Sequence, residues 1–146
     1  MRANSNYKID LLLFQVSKLW LKSKKQILDK FDLTYSQFET LEALYNLKNL
    51  KQEIIQINIS KETGFDPMTT SFILRSLEEK RFITRRRGHI NTRVVFVDLT
   101  HKGFEVYEKA FDEICKTSRL LYSKVDSQQL SSELLIISKE LNKINI

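Results

Sequence analysis

Cationic side chains crowd into one stretch of the sequence, residues 75–93. They are Arg75, Lys80, Arg81, Arg85, Arg86, Arg87 and Arg93, opposed only by Glu78, Glu79 and, a little further on, Asp98. Like charges at this density repel one another, so the pattern indicates a partner whose phosphates neutralise them. The formal net charge of +6 also favours a polyanionic partner. The alternative is a solvated strand edge that its charges protect from aggregation.

Two short helices joined by a tight turn are predicted just before and within this stretch. The first covers Gln56–Thr63 and ends at Gly64, where a left-handed backbone costs least. The second covers Pro67–Lys80, because Asp66 is a good N-cap and proline is favoured in the first helical turn. This order predicts a helix-turn-helix.

The periodicity then changes from helical to alternating, which predicts two strands. One begins at Ile83 and the other covers Val94 to Leu99, and the basic segment from Arg87 to Thr92 forms the tip between them. Helix, turn, helix and hairpin together predict a winged helix-turn-helix lobe at residues 33–99.

We expect the second helix to lie in the major groove of DNA and the hairpin to contact the backbone and minor groove. Arg75 either contacts DNA or pairs with Glu79. Arg85, Arg86 and Arg87 are expected on phosphates, and Arg93 in the minor groove. The predicted helix contacts are Pro67, Met68, Thr69, Thr70, Phe72 and Arg75, and the predicted hairpin contacts are Arg85, Arg86, Arg87, His89, Asn91, Thr92 and Arg93.

Long helices are predicted on both sides of this lobe. Residues 7–30 carry apolar side chains on two faces, which favours contact of one face with a partner chain over burial of the whole helix in its own domain. Thr34 and Gln37 form a capping box for a helix that runs to about Leu47, and Lys48 to Lys51 form a polar connection. Residues 101–146 continue as helices that begin after Thr100 and after Asp126. The predicted fold is mainly α with a small β-wing, in a single domain 1–146 whose segments 7–30 and 101–146 are dimerisation helices.

Other functional classes have little support in the sequence. There is no nucleophile elbow, phosphate-binding glycine loop or HExxH motif, so we expect no enzyme and no cofactor. His89, His101 and Cys115 are too few and too far apart for a zinc site without carboxylates. The N-terminus lacks a signal-peptide core and no apolar run is long enough to span a membrane, so a cytoplasmic protein is expected.

The run ISKETGFDPMTTSFILRSLEEKRFITRR, followed by NTRVVFVDLTHKG, resembles the MarR family of bacterial transcription regulators. Residues 91–93 resemble the Asp-x-Arg wing motif of that family, and residues 97–100 resemble its V-x-L-T strand. The resemblance implies a homodimer, with Arg93 as the wing arginine and Pro67–Lys80 as the recognition helix. It also implies an effector pocket between the dimerisation helices and the DNA-binding lobe. This sequence departs from the family at Asn91, at Arg81–Phe82 and at Phe72, where Asp, Gly-Leu and Arg are usual.

The function expected from these patterns is a DNA-binding transcriptional regulator. It would be a homodimeric repressor that binds an inverted repeat in double-stranded DNA and is released by a small effector. Trp20, Phe38, Tyr45 and Tyr107 either line an effector pocket or pack in the core. The alternatives are a winged-helix module that binds protein without DNA, and a regulator that senses a metal or redox state.

Overall fold

A computed structural model describes residues 5–50 and 53–145 of the chain. The elements in chain order are α1 (Ser5–Asp29), α2 (Tyr35–Leu50), α3 (Gln56–Thr63), α4 (Pro67–Glu79), β1 (Ile83–Arg87), β2 (Val95–Leu99), α5 (His101–Tyr122) and α6 (Ser127–Ile144). The predicted bounds of α3 are confirmed. Helix α2 continues to Leu50, so the connection predicted from Lys48 begins too early, and its end at Lys51 lies outside the described residues.

The start of α2 is fixed by the predicted capping box. The backbone N–H of Thr34 donates to Oε1 of Gln37 at 3.0 Å, and the backbone N–H of Gln37 donates to Oγ1 of Thr34 at 3.1 Å. The buried Gln37 also donates through Nε2 to Oγ of Ser76 at 3.0 Å, and it accepts from Nζ of Lys80 at 3.0 Å. These bonds join the first turn of α2 to the last turn of α4.

The two strands form an antiparallel hairpin in which Ile83 pairs with Leu99 and Arg87 with Val95. The segment before α3 adds to its edge, because the N–H of Val97 donates to the carbonyl of Ile54 at 2.9 Å. The strand pairing ends where Arg87 meets Val95, so Arg87 belongs to β1 and not to the predicted tip.

The core lies where α2, α3, α4 and the hairpin meet the end of α1. Its fully buried side chains include Leu28, Leu41, Leu44, Ile59, Leu74, Leu77, Ile83 and Val97. Phe38 and Tyr107 are also buried, with ring centroids 5.5 Å apart, and Tyr45 lies 4.9 Å from Tyr107. Packing therefore accounts for these three aromatic side chains.

The chain divides into two compact units, Met1–Phe111 and Asp112–Ile146, and the division falls within α5. The predicted lobe 33–99 lies wholly in the first unit. The organisation as a single domain stays a prediction. Within the two described ranges, no helix has the length and apolar content needed to cross a membrane.

Large apolar side chains are exposed on α1 and on α6. On α1 only Ile27 and Leu28 are buried, and on α6 no residue is buried. The exposed apolar residues of α1 are Tyr7, Ile9, Leu11, Leu12, Phe14, Val16, Leu19 and Leu21, and those of α6 are Leu134, Leu135, Ile136, Ile137, Leu141 and Ile144.

Candidate nucleic-acid interface

The first turn of α4 is held by Asp66. Its Oδ1 accepts from the backbone N–H of Thr69 and its Oδ2 accepts from the Thr69 hydroxyl, both at 2.8 Å. The backbone hydrogen bond from Thr69, and then the hydroxyl bond, keep the pKa of the Asp66 carboxyl below its ordinary value. The helix therefore begins in a fixed position. The Thr69 hydroxyl already donates its one hydrogen bond to Asp66, so it can only accept from a partner outside the chain.

The outer face of α4 presents two large apolar side chains. Met68 is 84% exposed and Phe72 is 71% exposed, and they stand one helical turn apart. Pro67, Thr69 and Arg75 are exposed beside them. These five residues form the surface that we call the α4 face.

Thr70 does not belong to the α4 face. Its side chain is fully buried, and its hydroxyl donates to the carbonyl of Asp66 at 2.9 Å. The prediction that Thr70 faces bases is wrong, because helical periodicity places it on the same side as the buried Ile73, Leu74 and Leu77.

Arg75 is exposed, and the described residues offer it no acidic side chain within ion-pair distance. The alternative pairing with Glu79 is therefore not formed. The hydrogen-bond donors of the Arg75 guanidinium are therefore available to a partner outside the chain.

The three consecutive arginines of β1 have different surroundings. Arg85 pairs with Glu78 through a 3.2 Å contact, and its side chain is only 19% exposed. The phosphate contact of Arg85 stays a prediction, and it would compete with this pairing to a carboxylate of α4. Arg86 lies over the Phe96 ring at 4.3 Å and within 3.8 Å of Glu53. Arg87 donates to the carbonyl of Thr92 at 3.1 Å and remains exposed.

Backbone and side-chain hydrogen bonds shape the tip of the hairpin. The N–H of Gly88 donates to the carbonyl of Val94 at 2.9 Å, and the N–H of Val94 donates to the carbonyl of Asn91 at 3.2 Å. Oδ1 of Asn91 accepts from the backbone N–H of Arg93 at 3.1 Å. A Cβ atom at Gly88 would lie 2.5 Å from the Asn91 carbonyl, so only glycine fits there. His89, Asn91, Thr92 and Arg93 are all exposed.

One cavity joins the two predicted contact regions. Pro67 of α4 and Arg93 of the tip both line it, and its volume is about 320 Å³. The remaining lining residues are Ile55, Gln56, Ile57, Ser60, Val94 and Val95. Oε1 of Gln56 is buried without a hydrogen-bond partner among the described residues. Gln56 could not be predicted from the sequence, since nothing in the helical pattern distinguishes this glutamine from an ordinary solvent-facing one.

His101 and Cys115, the other candidate reactive side chains, both lie on α5. Across residues 5–50 and 53–145, no three His, Cys, Asp or Glu side chains are placed to hold a metal ion. Cys115 is half-buried on α5. His101 lies 3.1 Å from Glu105, one turn along the same helix.

Comparison with known proteins identifies the family. Residues 22–110 match the family described as transcriptional regulator SarA/Rot. The organic hydroperoxide resistance transcriptional regulator of Bacillus subtilis is 30% identical over 137 residues, which is 92% of this chain and 89% of that protein.

Solved structures share the fold over nearly the full length. The Staphylococcus aureus MepR–DNA complex superposes with a TM-score of 0.79 at 23% identity, covering 97% of this chain and 99% of that one. A MarR-family regulator from Rhodococcus sp. RHA1 gives a TM-score of 0.75 at 15% identity, covering 93% and 94%. These comparisons confirm the predicted mainly α fold with a β-wing and the resemblance to MarR regulators. The chain belongs to the SarA/Rot family of transcriptional regulators and has their MarR-type winged helix-turn-helix fold.

Proposed function

We propose that the chain is a homodimeric cytoplasmic repressor that binds an inverted repeat in double-stranded DNA. The observation that carries the proposal is that Arg75 on the α4 face and Arg93 at the hairpin tip are both exposed and have no acidic partner among the described residues. The α4 face would enter the major groove, and Arg93 would enter the neighbouring minor groove. The similarity in fold to the MepR–DNA complex supports the same assignment.

Direct reading by the α4 face would be mostly apolar. Met68 and Phe72 present carbon surface that fits the methyl group of thymine, whereas Thr69 keeps its oxygen lone pairs as acceptors. Arg86 and Arg87 would contact phosphates and set the position of the module without reading sequence.

The dimer part of the proposal rests on α1 and α6, taken separately. Eight large apolar side chains are exposed on α1 and six on α6, and a second copy of the chain would cover them. Two recognition helices related by a twofold axis would meet half-sites about one helical turn of DNA apart.

Release by a small effector is the remaining part of the proposal. The effector would act by binding more tightly to a dimer whose α4 helices are spaced wrongly for the operator. Occupation of a promoter blocks polymerase, so repression is the expected outcome.

The test begins with selection of bound duplexes from a random pool. We expect an inverted repeat with half-site centres about ten base pairs apart. On the selected duplex, affinity should fall steeply with salt, and Arg93→Ala should reduce the slope of log affinity against log salt by about one. Lys109→Ala is the matched control, since it removes an exposed cation from α5. No enriched duplex would reject DNA binding and favour a protein-interaction module.

A second measurement tests the dimer without DNA. Sedimentation of the wild-type chain should give twice the monomer mass, and Val16→Glu on the exposed face of α1 should shift it towards monomer. Leu50→Glu, at an exposed position near the end of α2, should leave the mass unchanged. A monomeric wild-type chain would contradict the proposal.

A further inference from the structure

Ile90 is fully exposed at the tip of the hairpin. A single exposed apolar residue is common and by itself needs no explanation. Ile90 is unusual because its neighbours in the tip, His89, Asn91 and Thr92, are all polar. Arg87 and Arg93 stand on either side of that tip in the sequence.

The tip holds Ile90 in a defined place. The bond from Gly88 to Val94 closes the loop that carries Ile90, the bond from Val94 to Asn91 closes the turn that follows it, and Asn91 fixes the backbone of Arg93. A β-branched side chain has little rotamer freedom to lose on binding. Ile90 therefore loses less side-chain entropy on binding than a long unbranched side chain at the same position would.

Apolar surface continues behind Ile90. Val94 and Phe96 line a shallow groove together with Ile90, Gly88, His89 and Asn91, and the volume of this groove is about 300 Å³. Arg86 lies over the Phe96 ring at 4.3 Å and flanks the groove with positive charge. An apolar patch edged by cations fits a groove wall of deoxyribose edged by phosphates.

We infer that Ile90 is a specificity-determining residue that wedges into the minor groove beside Arg93. Proteins that bind this groove insert side chains such as Ile between base pairs and partly unstack them. Pyrimidine–purine steps unstack at the lowest cost, so the wedge selects a TpA or CpA step where the tip lands. This inference rests on the proposed binding of DNA and adds a mode of reading that needs no hydrogen bond to a base.

The test uses the selected operator with TpA, ApA or GpC placed at each position outside the half-sites. The wild-type chain should prefer TpA over ApA by about fivefold at one position, and Ile90→Ala should bind both with equal affinity. Ile90→Met should keep the preference, since methionine also serves as a wedge. With 2-aminopurine in place of the adenine of TpA, wild-type binding should raise its fluorescence and Ile90→Ala should not.

The controls separate this inference from the proposed function. Ile90 is fully exposed, so Ile90→Ala should have the same denaturant midpoint of unfolding as the wild type. Leu50→Ala removes another exposed apolar side chain, 81% exposed and outside the predicted contact surface, and should keep the TpA preference. If the wild type binds duplex but shows no step preference, or if Ile90→Ala keeps one, the wedge is wrong and DNA binding stands. If the wild type binds no duplex, both are wrong.

Discussion

The side-chain oxygen of Asn91 accepts a hydrogen bond from the backbone N–H of Arg93, 3.1 Å away. The MarR wing motif that this segment resembles usually has Asp at this position, whose carboxylate could pair with the wing arginine. Here the amide holds the backbone of Arg93 and leaves its guanidinium exposed without an ion pair among the described residues. Asn91 therefore still stabilises the turn, and the positive charge of the Arg93 guanidinium remains available to a partner.

Asn91→Ala should therefore weaken duplex binding by loosening the tip. The lost hydrogen bond is worth about 1 kcal/mol, so we expect a reduction in affinity of roughly fivefold. Asn91→Ser is the matched control, because a serine hydroxyl can accept from the same N–H. Hydrogen exchange of the Arg93 amide should quicken in the alanine variant alone. Equal affinities for all three chains would show that the bond does not position Arg93.

Thr70→Ala should lower stability without changing which duplex is preferred. The side chain is fully buried, so its removal should cost about 1–2 kcal/mol in the free energy of unfolding. Thr69→Ala, one residue earlier and exposed, should instead change the ratio of affinities for duplexes that differ at one base pair. Denaturant unfolding and duplex competition together measure both effects. If Thr70→Ala changed the ratio of duplex affinities without changing stability, Thr70 would have to contact DNA as part of the α4 face.

Local rules were enough to predict the frame of the lobe. Gly64 has a positive φ of 78°, and Asp66 caps α4 as its residue type indicates. These features depend on a few neighbouring residues, which the sequence displays directly. The burial of Thr70 was also within reach, since it shares a helical face with Ile73, Leu74 and Leu77.

Long-range contacts were not available in the same way. The pairing of Arg85 with Glu78 joins a strand to the preceding helix across the turn at Arg81. Its geometry depends on how the hairpin folds back against α4, which periodicity does not specify. For the same reason the sequence could not separate Arg85 from Arg86 and Arg87, which have the same charge and lie in the same run.

Arg81→Gly should stabilise the chain. The N–H of Arg81 donates to the carbonyl of Glu78 at 2.9 Å and the N–H of Phe82 to that of Leu77 at 3.0 Å, which is a Schellman motif with φ of 64° at Arg81. Relief of the left-handed strain, less the greater unfolded-state entropy of glycine, should give about 0.5–1 kcal/mol.

The control for Arg81→Gly is Glu79→Gly, at the last residue of α4. Glycine there should destabilise by about 0.5–1 kcal/mol, because the backbone is helical and gains nothing from the substitution. Both values come from denaturant unfolding at one pH. A loss of stability in Arg81→Gly would mean that the arginine side chain contributes more than the strain costs.

Asp66 should make stability depend on acidity in a predictable direction. Its folded-state pKa lies below the ordinary value of 3.8, because the Thr69 backbone N–H and hydroxyl donate to the charged carboxylate. The stabilisation is therefore complete above that ordinary value and is lost as the pH falls through the lower folded-state pKa. Asp66→Asn keeps a good N-cap without a titrating group. Between pH about 6 and about 3, the difference in free energy of unfolding between the wild type and Asp66→Asn should shrink as the pH falls. A difference that does not change with pH would contradict the lowered pKa of Asp66.

Glu53→Gln should increase duplex affinity at low salt. Glu53 lies 3.8 Å from Arg86, and both side chains are more than half exposed, so the pair contributes little to stability. Removing the carboxylate frees Arg86 for phosphate and also removes a negative charge from beside the hairpin, so we expect a gain of about two- to fivefold. Glu62→Gln removes the same charge from an exposed position on α3 that has no arginine partner within the described part of the chain. A gain confined to Glu53→Gln that fades as salt rises would assign Arg86 to the DNA backbone. Equal gains in both variants would show that the gain in affinity comes from net charge alone. The proposed contact between Arg86 and phosphate would then be contradicted.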